Sequence, residues 1–160
     1  MMTEQVEQHQ WLKRLVGEWT YVNESSGLPN QPPMKFTGRE SVRMLGDLWV
    51  LAEMTGTMPD GGAMTALMTL GYDPERQAYI GSWIGSPMAH MFVYEGQLSA
   101  DGLTLPLNTI GPSFTDMSVM ANYQDIIAFT KDGKRTLRSQ YKNPDGSWTQ
   151  FMQATFTRKS

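Results

Sequence analysis

The chain contains no cysteine. Disulfides, thiolate zinc sites, iron–sulfur clusters and cysteine nucleophiles are therefore excluded. Charge is also scarce: 13 Lys and Arg stand against 16 Asp and Glu, giving a net charge of −3. A nucleic-acid binder normally presents a basic face, so no nucleic-acid partner is expected. Lys134, Arg135 and Arg138 lie close together, but alternate residues of a strand point to opposite faces. They read as a solvated strand face rather than a phosphate site. No stretch approaches the roughly 20 apolar residues of a membrane span, so no membrane partner is expected. Met1 to Trp11 is polar and lacks the basic start and apolar run of a signal peptide, which makes the cytoplasm the expected location. G-x-S-x-G, P-loop and G-x-G-x-x-G signatures are all missing, which argues against the corresponding serine and nucleotide chemistries.

What is present is turn chemistry and large apolar side chains. Fifteen Gly and nine Pro punctuate the chain, and five Trp, six Tyr, six Phe and 13 Met supply apolar volume. Methionine is flexible and polarizable, so it either fills irregular core gaps or lines an adaptable binding surface. At 160 residues the chain suffices for one domain, residues 1–160, with a core that needs no covalent staple.

One helix is expected, over Thr3–Leu15. Thr3 can cap it, and Val6, Trp11, Leu12 and Leu15 partly follow helical spacing. Gly17 stops it. His9 falls in this polar helix and is expected to face solvent. After that the chain breaks into short segments. Ser25–Pro33 is a loop by composition. Met34–Met44 alternates, with Met34, Phe36, Glu40, Val42 and Met44 on one face and Lys35, Thr37, Arg39 and Arg43 on the other. Gly46-Asp47 turns it into Leu48–Met58. A helix over Ser41–Thr55 competes, but the glycines and the alternation favour a hairpin.

Pro59–Gly62 is a turn. Strands follow over Met64–Tyr72, Gln77–Ile84, Ala89–Leu98 and Leu103–Thr109. Ile110–Ala121 reads as irregular, with an exposed apolar Gly111-Pro112-Ser113-Phe114. Asn122–Phe129 pairs with Lys134–Tyr141 across Asp132-Gly133, a strong hairpin signal. Asn143–Gly146 turns into Ser147–Arg158. About ten short strands with Gly/Pro turns predict a mostly β fold: a closed or nearly closed antiparallel barrel over residues 17–158, which removes exposed edges and can enclose a cavity.

Gly17-Glu18-Trp19 opens the first strand, and Phe156-Thr157-Arg158 closes the last. An antiparallel barrel with an even strand count sets these ends side by side, so Arg158 can stack on Trp19, a contact worth about 0.5–2 kcal/mol. Together with Leu15-Val16, Gly71-Tyr72-Asp73-Pro74, Ser82-Trp83 and Tyr94-Glu95-Gly96, in that order, the pattern resembles the bacterial domain-of-unknown-function family 1579. The resemblance implies a lipocalin-like (calycin-like) barrel, with Gly17, Trp19 and Arg158 as its structural signature. It carries over no catalytic residues.

Site candidates come from the strands. Met54, Met68, Trp83, Phe92 and Tyr94 could line an apolar pocket, with Glu40 and His90 as polar members. Which face of Gln77–Ile84 points inward stays open. Tyr79 and Trp83 compete with Ile80 and Ile84. Glu40, Glu53, Asp116 and Asp125 each sit among apolar residues, where desolvation would raise a carboxyl pKa. Each is also readable as a rim carboxylate, Glu40 as a partner of Arg39 or Arg43. His90 is either a satisfied core histidine or a ligand-orienting base. One histidine without paired spacing is a poor metal or haem site, so no metal and no cofactor is expected. Three functions remain: a binder of a small apolar or amphipathic molecule, an isomerase, lyase or hydrolase using His90 with Glu40 or Glu53, and an interaction module or homo-oligomer.

Overall fold

In the first strand, β1 (Gly17–Ser25), Trp19, Tyr21, Asn23 and Ser25 are buried, and the residues between them are more exposed. That period of two commits one face to an interior. Nine further strands follow. They are β2 (Met34–Leu45), β3 (Trp49–Thr57), β4 (Ala63–Asp73), β5 (Ala78–Gly85), β6 (Met88–Gly96), β7 (Thr104–Pro112), β8 (Met120–Phe129), β9 (Arg135–Lys142) and β10 (Trp148–Arg158). The computed structural model describes residues 2–26, 31–58 and 60–159. Residues 27–30 of the expected Ser25–Pro33 loop, and Pro59 of the expected turn, lie outside the described residues.

Each strand pairs antiparallel with the next, and β10 returns to β1, closing the barrel. The Ser41–Thr55 segment is a hairpin, with Val42 opposite Ala52. The irregular stretch is shorter than Ile110–Ala121, because β7 runs on to Pro112 and β8 starts at Met120. Tyr79 and Trp83 take the inward face of β5, and Ile84 is exposed.

The helix is shorter than its sequence suggests. It spans Glu7–Leu12, with a 3-10 turn over Lys13–Leu15, and Val6 rather than Thr3 stands at its N-cap. His9 explains the late start and corrects its expected solvent exposure. Its Nδ1 accepts the Val6 amide at 2.9 Å, satisfying a donor that would otherwise need a polar cap. Nε2 then carries the proton and donates to the Tyr72 carbonyl at 3.1 Å, and the ring is 1% exposed. Tyr79 donates to the Gln8 carbonyl and Trp11 Nε1 to the Gly102 carbonyl. With Trp11, Leu12 and Leu15 in the core, the helix plugs one end of the barrel.

The seam between first and last strands is locked as the sequence suggests. Trp19 is the register partner of Arg158, whose guanidinium lies 4.2 Å from the Trp19 ring centroid. Arg158 also donates to the carbonyls of Val16 (2.8 Å) and Arg14 (2.7 Å), tying the helix end to the seam. Gly17 has φ +142°, and a side chain there would overlap the Arg158 guanidinium, so glycine is required twice over.

The sequence reading of Arg135 is corrected here. Arg135 is not on a solvated face: it is 4% exposed, stacks 3.9 Å from the Phe156 centroid and 4.5 Å from that of Trp19, and forms an ion pair with buried Glu40. Its position matches the parity of buried Leu137 and Ser139 on β9. Burial, and next the Arg158 charge, press its pKa down to about 9, so it remains protonated at neutral pH. Glu40 therefore pairs with Arg135 across the barrel, not with Arg39 or Arg43.

Removing one member of a buried pair strands the other charge, at a cost of about 3–5 kcal/mol. Glu40→Ala should lower unfolding free energy by that amount in urea titrations, and the double variant Glu40→Leu/Arg135→Met should recover most of it. Arg158→Ala, which loses a cation–π stack and two charge-assisted hydrogen bonds, should cost about 2 kcal/mol.

Candidate functional site

The barrel is divided into two unlike halves. Next to the helix the interior is filled. Leu15, Val42, Val50, Ala52, Met68, Leu70 and Ile127 surround Glu40 and Arg135, and leave a void of only about 10 Å³. At the other end the interior holds a cavity of about 280 Å³. Met54 from β3, Met64 from β4 and Met58 just past the end of β3 line it. Met88, Met117 and Met152 complete a set of six, out of 13 in the chain. Methionine thus gathers where a surface must adapt, as well as in the core.

Aromatic rings form the facing wall in an edge-to-face chain. Trp83 meets Phe92 at 6.0 Å between centroids, Phe92 meets Tyr123 at 6.3 Å, and Phe114 packs on Tyr123 (5.6 Å) and Phe151 (4.9 Å). Phe114, half-exposed in the β7–β8 loop, is therefore folded over the cavity wall. Two strand irregularities lie here, between Trp83 and Gly85 and between Gln150 and Met152. Such bulges re-aim side chains beside sites.

A polar group interrupts the apolar lining. Asp125, on β8, shares the inward face of Tyr123 and lines the cavity. Tyr94 donates its hydroxyl to Asp125 Oδ2, and Ser139 donates to Oδ1 at 2.7 Å. Desolvation raises the Asp125 carboxyl above its ordinary pKa, and those two hydrogen bonds only partly oppose the rise. Burial likewise lifts the Tyr94 hydroxyl well above its ordinary value, reinforced by the neighbouring Asp125 charge. Asn23 and Thr109 also line the cavity, each 5% exposed, and Asn23 Oδ1 and Thr109 Oγ1 have no hydrogen-bond partner. Among the described residues, Asp125 is the one charged side chain on this wall.

The sequence candidates separate accordingly. Met54, Trp83 and Phe92 line the cavity, and Tyr94 supports Asp125 beside it. Met68 and Glu40 belong to the filled half and do not reach it. His90 lies outside the cavity lining: its ring packs on Phe92 at 4.7 Å and its Nε2 meets the Ile110 carbonyl at 2.9 Å. Glu53 is exposed, beside Arg43, and Asp116 is exposed in a turn with Ser118. His90, Glu40 and Glu53 therefore do not come together, and the acid–base arrangement suggested by the sequence does not form. Asn23, Thr109 and Ser139 were not foreseen. Asn23 alternates with Trp19 and Tyr21 on β1, which was the available signal.

His90 marks a break in the wall. β6 and β7 share two register pairs, Glu95 with Asn108 and Gly96 with Leu107, whereas every other junction runs for six or more. Beyond Asn108 the strands are bridged by the His90–Ile110 contact and by Phe92, whose ring covers Gly111 so closely that a side chain there would overlap it. Met91, Val93, Ile110 and Met120 are exposed around this break.

The match to known proteins extends over nearly the whole chain. The chain belongs to DUF1579. That family, described as "Protein of unknown function (DUF1579)", matches residues 4–158. The crystal structure of Rv2717c from M. tuberculosis has a similar fold, with 15% identity, a TM-score of 0.67, and coverage of 98% of this chain and 100% of that one. EF1p2_mFAP2b, solved bound to DFHBI, is similar at 12% identity and a TM-score of 0.50, covering 94% and 98%. No curated protein matches the chain. Among the described residues no helix is long and apolar enough to cross a membrane.

Asp125 provides a signed test of the site's electrostatics. Its folded pKa lies above the unfolded value of about 3.9. The stability it contributes is thus complete below about pH 4 and is lost as pH rises through the folded pKa. Asp125→Asn should be more stable than the wild type at about pH 7.5, and the difference should vanish near pH 4. Urea midpoints of both proteins at the two pH values measure this.

Proposed function

We propose that this protein binds one small, predominantly apolar molecule inside the end of the barrel away from the helix. The observation that carries the reading is the 280 Å³ cavity walled by methionine and aromatic side chains, with Asp125 as the charged residue on it. Ligand sites are mostly apolar with a few placed polar groups. An engineered apolar cavity of roughly 150 Å³ takes benzene, so the space here suits a bicyclic or short-chain molecule. Support also comes from the EF1p2_mFAP2b barrel, solved with DFHBI bound. The candidate contacts are Met54, Trp83, Phe92, Tyr123 and Phe151 for the apolar body.

Isothermal titration with 2-naphthalenemethanol, a neutral bicyclic probe, tests the reading. Saturable one-to-one binding is expected. Met54→Trp, which puts a larger ring into the cavity, should weaken it at least tenfold while the protein still unfolds cooperatively, a loss of about 1.4 kcal/mol. Binding unaffected by Met54→Trp would place the probe elsewhere.

A further inference from the structure

We infer that the ligand is a cation, an apolar molecule carrying a protonated amine, and that Asp125 receives the ammonium group. The inference rests on the binding function proposed above and names the chemical class that the cavity selects. An ammonium group offers three N–H donors and no acceptor. The cavity wall offers it one charged acceptor, the Asp125 carboxylate. Asp125 already receives hydroxyls from Tyr94 and Ser139, which orient its carboxyl group and bring no positive charge to it. No cationic side chain lines the cavity among the described residues. Arg135, the buried cation of this barrel, is committed to Glu40 in the filled half.

The walls favour the same sign of charge. Trp83, Phe92, Tyr123, Phe114 and Phe151 present π-systems around the cavity, and a cation over an aromatic face is attracted by the ring quadrupole. An anionic ligand would meet the Asp125 charge in a low-dielectric space and be repelled. A neutral alcohol would leave the carboxylate without a counter-charge. The titratable groups sharing this space with Asp125 are Tyr94 from β6 and Tyr123 from β8, both with raised pKa values and neutral over the physiological range. Asp125 is thus the group that titrates on ligand binding, and a bound cation stabilises its ionised form.

Three probes with one ring system test this: 2-naphthylmethylamine, 2-naphthalenemethanol and 2-naphthoate, titrated calorimetrically into the wild type and into Asp125→Asn at about pH 7.5. The amine should bind the wild type at least tenfold more tightly than the alcohol, and the naphthoate at least tenfold more weakly than the alcohol. In Asp125→Asn the amine's advantage should fall below about twofold while the alcohol still binds. In the wild type the advantage should shrink as pH is lowered toward 4 and the carboxylate is neutralised, a measurement that needs no variant. Equal or tighter binding of the alcohol in the wild type would overturn the cation assignment and leave the binding function standing. Failure of all three probes to bind would overturn both.

Discussion

A barrel of ten strands exists only if its last strand meets its first in register, and here one stack of side chains secures that meeting. Trp19 lies against two guanidiniums, those of Arg158 at the seam and of Arg135, which also stacks on Phe156 and has Glu40 as its counter-charge. The stack joins β1, β2, β9 and β10, and through the Arg158 hydrogen bonds it also fixes the end of the helix. Two like charges lie against one indole, which is tolerable only because Glu40 neutralises the buried one. Closure, helix docking and the polarity of the filled half therefore depend on the same few residues.

That arrangement leaves the other half of the interior free for a different use. The helix, the ion pair and Leu70, Leu105, Leu107 and Ile127 supply a filled core. Stability concentrated there relieves the far end of the need to be solid, and the far end can carry a cavity and a desolvated carboxyl group. Sites of binding commonly accept such local costs where the rest of the fold is well determined.

The strands, their hairpin order and the Trp19–Arg158 meeting were legible because they depend on local alternation and turn residues. The Phe156-Thr157-Arg158 ending and the Gly17-Glu18-Trp19 opening lie far apart in sequence, and closure alone brings them together. What the sequence concealed was depth along the strand axis. Glu40 and Met68 have inward parity just as Met54 does, yet they lie in the filled half, because parity assigns a face and not a height. Arg135 was concealed for a related reason: its charge suggested solvent, and its partner Glu40 is remote in sequence. Asp125 stood among four carboxylates with similar neighbours until pairing with Ser139 and Tyr94 set it apart. His9 obeyed an i, i+3 spacing with Val6 and Leu12 that a polar ring disguised.

The short β6–β7 junction has a mechanical consequence. A cylinder whose staves are all fully joined can widen only by breaking ladder hydrogen bonds, whereas one with a single short joint can flex there at little cost. The upper parts of β6 and β7 are latched by the His90–Ile110 hydrogen bond and by the Phe92 ring resting on Gly111. Phe92 also lines the cavity. Swinging that ring would at once unlatch the joint and enlarge the space inside, which makes this the elastic element of an otherwise stiff container, and couples the size of what it can hold to the breathing of its wall.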